Sequence, residues 1–366
     1  MTSIAVLLPT REKFSPQGAG ALAINARDFA TGSRFHQQTT VYGAPVEQAY
    51  SDVRFVPLHN NAMLFKSAGH LKAFRHALRS VPPSLIEVWN RPAFVATLKR
   101  WFPGVPIVLH LANDPQEMRA SRTARERSEL LSLVARVITC SHWVRNRFVE
   151  GLPSAAKVDR VIAIISGVTP PDRVLPKEKL ILFVGRIVPE KGVLLFAQTM
   201  RTLLSSHPDW RTQIVGGIWH GREGENQYSL RVAEEFNHLH GQGAISGYLP
   251  IKEVRSLMAR AAILCVPSLW DEPLGRVALE GMAEGALVAT TGRGGLSEAV
   301  ADAGLIIDSD DPRVWAERLG PWLTSLNRIA EMGDKARSRA GQYTPQTASA
   351  KLDPVRAAIL GSAPPP

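Results

Sequence analysis

What most constrains this chain is an alternation that runs through it twice. Short apolar runs of buried-strand type fall at residues 4–8, 39–42, 53–56, 85–89, 106–110, 137–140 and 161–165, with amphipathic helical spacing between them. The rhythm then restarts at 180–184, 213–215, 244–246, 263–266, 287–290 and 305–307. Strand and helix by turns predict parallel sheets covered on both faces. The restart follows Gly167-Val168-Thr169-Pro170-Pro171-Asp172, a Gly/Pro stretch suited to a linker. The expected architecture is α/β, two doubly wound Rossmann-like domains facing across a cleft at their carboxyl strand ends, where small ligands bind. With 366 residues, each domain has enough chain for its own core. The boundaries read as 1–168, 169–345 and a C-terminal segment 346–366 that crosses back and ends in a disordered Pro-rich tail.

Charge separates the two halves. Residues 1–170 hold 21 Lys and Arg against 11 Asp and Glu, while the remainder balances at 22 of each. A positive first half suggests an anionic partner. No apolar run approaches the roughly 18 residues of a membrane span. Residues 4–8 are stopped by Pro9 and Arg11, too soon for a secretory signal. The two cysteines, Cys140 and Cys265, lie in apolar runs and read as buried thiols of a reducing cytoplasm. No Cys/His cluster has metal-ligand spacing, and the Asp308-Ser309-Asp310-Asp311 acids precede Pro312 as helix caps do, so no metal is assigned.

The chemistry concentrates in Ser268-Leu269-Trp270-Asp271-Glu272-Pro273-Leu274-Gly275-Arg276-Val277-Ala278-Leu279-Glu280. A buried strand leads into it, and Val277, Leu279 and Met282 follow at helical spacing. The helix is expected to start near Leu274, with free N–H groups at its tip that attract phosphate. Glu280, eight positions after Glu272, would lie within about 80° of it and about 12 Å along the helix. Taken alone, both acids are equally well explained as early-helix residues favouring the dipole. Upstream, Gly185-Arg186-Ile187-Val188-Pro189-Glu190-Lys191-Gly192 places a guanidinium and an ammonium around one strand-end turn, where both can converge on an anion. The bland reading of those cations is a surface pair with Glu190.

These two segments together resemble the Gly-Arg-x-x-x-Glu-Lys-Gly and Glu-x7-Glu motifs of the retaining glycosyltransferases of family 4 (group 1), which have the GT-B fold. Leu274 stands where Phe is commoner. The resemblance implies that Arg186 and Lys191 hold a departing diphosphate, that Glu272 contacts donor-sugar hydroxyls and that Glu280 contacts the ribose. It extends the donor-binding set to Gly185, Gly217, Tyr248, Leu249, Leu274, Gly275 and Arg276. In the first half it implies a donor-binding glycine loop at Gly18 and Gly20 that helps hold the diphosphate, and a sugar-positioning His110 at the end of its strand. The catalytic set is therefore His110, Glu272, Arg186 and Lys191, with no enzymic nucleophile, no cofactor and no metal.

On the acceptor side, Asn90 and Arg91 follow a strand, and Arg119 and Arg122 lie in an Arg-rich segment that suits an anionic acceptor or simply a solvated helix. Residues 63–79 carry Leu64, Ala68, Leu71, Phe74 and Leu78 opposite Lys66, Lys72, Arg75, His76 and Arg79, the pattern of a core-packed helix or of peripheral contact with an anionic membrane. Ser141 reads as an N-cap. The expectation is a cytoplasmic hexosyltransferase, acting at the inner face of the cell membrane, that moves a hexose from a UDP- or GDP-linked donor to a glycan or lipid-linked saccharide in envelope polysaccharide or lipopolysaccharide synthesis. The alternatives are a nucleotide-sugar epimerase or hydrolase of the same shape and a non-catalytic nucleotide-sugar-binding protein. Without a recognised module, nucleic acid is not an expected partner.

Overall fold

The computed structural model describes residues 2–59, 66–218 and 226–361. The chain forms two compact units, Met1–Ser166 with Pro345–Pro366, and Gly167–Thr344. In the first, strands β1 (Ile4–Leu7), β2 (Thr39–Gly43), β3 (Arg54–Pro57), β4 (Leu85–Trp89), β5 (Ile107–Leu111), β6 (Arg136–Thr139) and β7 (Val161–Ala163) form one parallel sheet ordered β3-β2-β1-β4-β5-β6-β7. Helices α1 (Ala21–Thr31), α2 (Lys66–Ala77), α3 (Val95–Trp101), α4 (Ala124–Leu133) and α5 (His142–Val149) connect them. The last helix, α13 (Pro345–Leu360), also belongs to this unit and packs on α1. Successive residues of β1 enter opposite cores: Ala5 and Leu7 join one buried cluster, Ile4 and Val6 the other. Burial on both faces is why these strands read as unbroken apolar runs.

The second unit holds β8 (Glu178–Val184), β9 (Arg211–Val215), β10 (Gly243–Ile245), β11 (Ala261–Val266), β12 (Leu287–Thr290) and β13 (Leu305–Ile306), all parallel and ordered β10-β9-β8-β11-β12-β13. Its helices are α6 (Val193–Leu204), α7 (Gln227–Asn237), α8 (Ile251–Arg260), α9 (Arg276–Ala283), α10 (Leu296–Val300), α11 (Pro312–Leu323) and α12 (Leu326–Ala340). Each apolar run found in the sequence lies over one of the strands, with ends differing by no more than two residues. Both units are thus Rossmann-like.

In each sheet the order reverses beside its first strand, between β1 and β4 in the first unit and between β8 and β11 in the second. At such a point the two flanking crossovers leave in opposite directions and open a crevice at the carboxyl strand ends. The loops after β8 and β11 carry Arg186, Lys191 and Glu272. Those after β1 and β4 carry Gly18, Gly20, Asn90 and Arg91.

Candidate functional site

In the second unit the loops around the switch point are stitched together by backbone. Gly185 N donates to Val215 O at 2.9 Å, Ile187 N to Gly217 O at 3.0 Å and Gly216 N to Gly247 O at 2.8 Å. Gly185 and Gly217 are therefore in the wall of the crevice, with Tyr248, 49% exposed, and Leu249 beside it after β10. The loop after β8 is pressed against the end of β11. Gly192 has φ +67° and a Cβ there would lie 1.8 Å from Pro267 O, so only glycine fits. Leu269 N donates to Glu190 O at 2.9 Å across the same junction. This approach brings Lys191 onto Glu272: its Nζ forms an ion pair with Glu272 Oε1 and lies 5.2 Å from the centre of the Trp270 ring. The partner of Lys191 is thus Glu272 and not Glu190, which supplies only its backbone carbonyl to the contact.

Glu272 is only 6% exposed and is held from several sides. Ser268 Oγ donates to its Oε1 at 2.7 Å, and the Ser268 carbonyl accepts from Thr291 Oγ1 at 2.7 Å. Its own carbonyl accepts from Gly295 N at 2.6 Å, and it forms a single parallel bridge with Gly294. Two donors converge on Oε1, which leaves Oε2 the oxygen with lone pairs for a ligand hydroxyl. Ser268, Trp270 and Thr291 belong to neither motif; the signal for them in the sequence is a carboxylate after a buried strand end, which needs donors of its own.

The two acids do not share a helix, contrary to the expected geometry. The helix begins at Arg276, not near Leu274, because Gly275 enters the left-handed region at φ +81° and closes the preceding loop. Glu272 therefore lies in the bridge segment ahead of α9, and the helical-wheel angle to Glu280 does not apply. Glu280, on α9, takes a hydrogen bond from Arg276 Nε at 3.1 Å in an i,i+4 pair. Leu274 is buried under the loop. Arg186 sits half-buried two residues after β8.

The first unit's residues gather at its own switch point. Gly18, with φ +83°, and Gly20, the cap of α1, form the loop after β1, but the start of α1 is already served by Glu12, whose Oε1 accepts from Ala23 N at 3.1 Å. Burial pushes the Glu12 carboxyl up, against the backbone hydrogen bonds and the Arg91 charge. Asn90, at φ +51°, uses its Oδ1 to hold Ala112 N at 3.1 Å, and Arg91 Nη1 donates to the Asn90 carbonyl at 2.7 Å. His110, the register partner of Trp89 across β4 and β5, is 3% exposed and stacks on that indole at 4.3 Å with an interplanar angle of 4°. It borders a small cavity shared with Asn25, Phe29, Cys140 and Ser166.

Arg119 and Arg122 are both exposed. Nearby, Arg127 is buried and donates to the carbonyls of Ser121, Arg122, Phe148 and Glu150, a structural clamp. Ser141 caps α5, accepting from Val144 N at 3.0 Å, and Asp311 caps α11, accepting from Arg313 N at 2.8 Å. On α2, Leu71, Phe74 and Leu78 face the core and Lys72, Arg75, His76 and Arg79 are exposed; Ala68 is exposed and so is not part of the buried stripe. Leu64, Phe65 and the Lys66 side chain lie outside the described residues.

Comparison with known proteins bears on the family and the fold. Residues 170–339 match the model of the family described as glycosyl transferases group 1. YtcC of Bacillus subtilis (strain 168), named for a glycosyltransferase, is 30% identical over 312 residues, which cover 79% of this chain and 76% of that one. Among solved structures, a sucrose-phosphate synthase from Thermosynechococcus elongatus superposes with a TM-score of 0.80 at 17% identity, covering 99% of this chain and all of the other. The Anabaena protein HepE in complex with UDP superposes with a TM-score of 0.77 at 16% identity over 98% of this chain and all of its own. The chain belongs to the group 1 glycosyltransferases.

Proposed function

We propose that this protein is a retaining hexosyltransferase of family 4 that moves a hexose from a UDP- or GDP-linked donor to a hydroxyl of a glycan or lipid-linked saccharide, in envelope polysaccharide or lipopolysaccharide synthesis. The observation that carries the reading is the convergence of Lys191 and Glu272 at the second unit's switch point, on the loops that also carry Arg186 and lead into α9. Arg186 and Lys191 take the diphosphate, with amides at the α9 tip, and stabilise the charge that develops on it as it leaves. These cations do the work a metal does elsewhere, so the reaction is proposed to need neither metal nor cofactor. Lys191 bridges Glu272 and the phosphate, and Oε2 of Glu272 reads donor hydroxyls. Glu280 takes the ribose, while Gly217, Tyr248 and Leu249 border the base. UDP bound to HepE, a protein of like fold, is in keeping with a UDP-linked donor.

In the first unit Glu12 already serves the N-terminus of α1, so the diphosphate is assigned to the second unit, while His110 positions the sugar and Asn90, Arg91, Arg119 and Arg122 lie on the acceptor side. The exposed basic face of α2 suits peripheral contact with the anionic inner face of the cell membrane. Transfer is tested by incubating the protein with UDP-glucose, UDP-galactose, UDP-N-acetylglucosamine or GDP-mannose and lipid-linked acceptor extracts. Turnover with one donor is expected to fall at least 100-fold in Glu272→Ala with the fold retained. Nucleotide release at the same rate without any acceptor favours the hydrolase or epimerase reading, and no turnover of any donor favours a binding protein.

A further inference from the structure

Beneath His110 lies a buried ionic chain that the donor grip does not use. Glu87, in the middle of β4, is fully buried and takes a two-pronged ion pair from Arg356 of α13, Nε to Oε1 at 2.7 Å and Nη2 to Oε2 at 2.9 Å. Arg356, 1% exposed, also donates through Nη1 to Phe29 O at 3.2 Å and stands 3.7 Å from Asp353. On its other side Glu87 Oε2 lies 3.3 Å from His110 Nε2, a charge contact without hydrogen-bond alignment, and buried Nε2 has no other partner among the described residues. Apolar side chains of similar volume would stabilise such a place as well as a buried ion pair does. Its position under the ring of His110 therefore calls for a role other than stability.

The geometry divides the two ring nitrogens. Nε2 faces the carboxylate, so Nδ1 is the nitrogen left for a ligand. An ionised carboxylate only accepts hydrogen bonds, and which imidazole nitrogen carries the proton is set by the partner of the other. Trp89 fixes the plane of the ring by stacking, and the carboxylate of Glu87 is the group that faces Nε2. We propose that Glu87 is a positioning residue for His110, placing the ring proton on Nε2 so that Nδ1 accepts a hydrogen bond from a sugar hydroxyl, with Arg356 of the last helix holding the carboxylate in place. This deepens the proposed function and rests on His110 facing a sugar. It also gives the chain's last helix a part in the site through two side chains.

The test begins with long-range ¹H–¹⁵N correlation spectra of the full-length protein labelled at histidine, with His110 assigned by loss of its signals in His110→Asn. The expected result is the Nε2–H tautomer in the wild type. In Glu87→Gln/Arg356→Met, which removes both charges and leaves neither unpaired, that tautomer preference is lost. With the donor that turns over among UDP-glucose, UDP-galactose, UDP-N-acetylglucosamine and GDP-mannose, kcat of this variant falls on the order of tenfold while the donor KM stays within about twofold. Glu87→Asp, which keeps the charge pair but draws the carboxylate back from Nε2, gives an intermediate loss. An Nδ1–H tautomer or an imidazolium in the wild type overturns the proposal, and the wild-type spectrum decides even if a variant does not fold. If His110→Ala turns over like the wild type, the sugar-facing role of His110 fails, whereas the tautomer result stands or falls separately.

Discussion

Glu272 shows how one side chain is prepared by its neighbours. Its Oε1 is claimed by Lys191 and by the Ser268 hydroxyl, and its backbone is tied to Gly294 and Gly295. A carboxylate so restrained presents its second oxygen in a fixed direction, at low conformational cost on binding. Ser268→Ala removes one donor and leaves Lys191 in place. The expected outcome is a donor Kd raised about tenfold, the loss of one hydrogen bond to a charged group, with free nucleoside diphosphate binding unchanged. Calorimetric titration with both ligands checks it; equal weakening of donor and diphosphate would place Ser268 in the phosphate grip instead.

At the scale of elements, the sheets were legible because parallel strands buried on both faces announce themselves as apolar runs, and the glycine motifs marked the loops where strands end. The start of α9 is not legible because Pro273 suits a first helical turn equally well, whereas the left-handed Gly275 depends on packing against Leu296, which only the folded chain brings near. The ties that hold the candidate site, Ser268 to Glu272 and Glu87 to Arg356, were not legible as contacts, since the second spans 269 positions. Helix α2 was readable as basic and amphipathic, and its Leu71, Phe74 and Leu78 do enter the core. Its exposed charges remain available to a surface. Lys72→Glu/Arg75→Glu/Arg79→Glu is expected to cut sedimentation with vesicles containing anionic lipid at least fivefold at low salt without changing the circular dichroism spectrum. Unchanged sedimentation would remove the membrane contact.

For the whole molecule, the chain's two ends meet in one unit: the last helix anchors in the first sheet through Arg356 and Glu87. Burial would raise the Glu87 carboxyl, but Arg356 and His110 outweigh it and hold the group well below the ordinary carboxylate range. The unfolded chain, with an ordinary value of about 4.3, takes up this proton first as pH falls. The stability Glu87 supplies is therefore complete above about pH 5 and is lost progressively below it. The urea midpoint should drop less between pH 7 and pH 4 in Glu87→Gln/Arg356→Met than in the wild type; an equal drop would assign acid sensitivity to other carboxylates.

The central claim is that Arg186, Lys191 and Glu272 form one ligand site. Isothermal titration of the wild type and of Arg186→Ala, Lys191→Ala and Glu272→Ala, each with UDP, GDP and the matching sugar nucleotides, addresses it most directly. The account predicts that both cation variants lose at least tenfold in affinity for diphosphate and donor alike, while Glu272→Ala abolishes only the extra affinity that the sugar confers. Wild-type binding of every ligand by all three variants would contradict it.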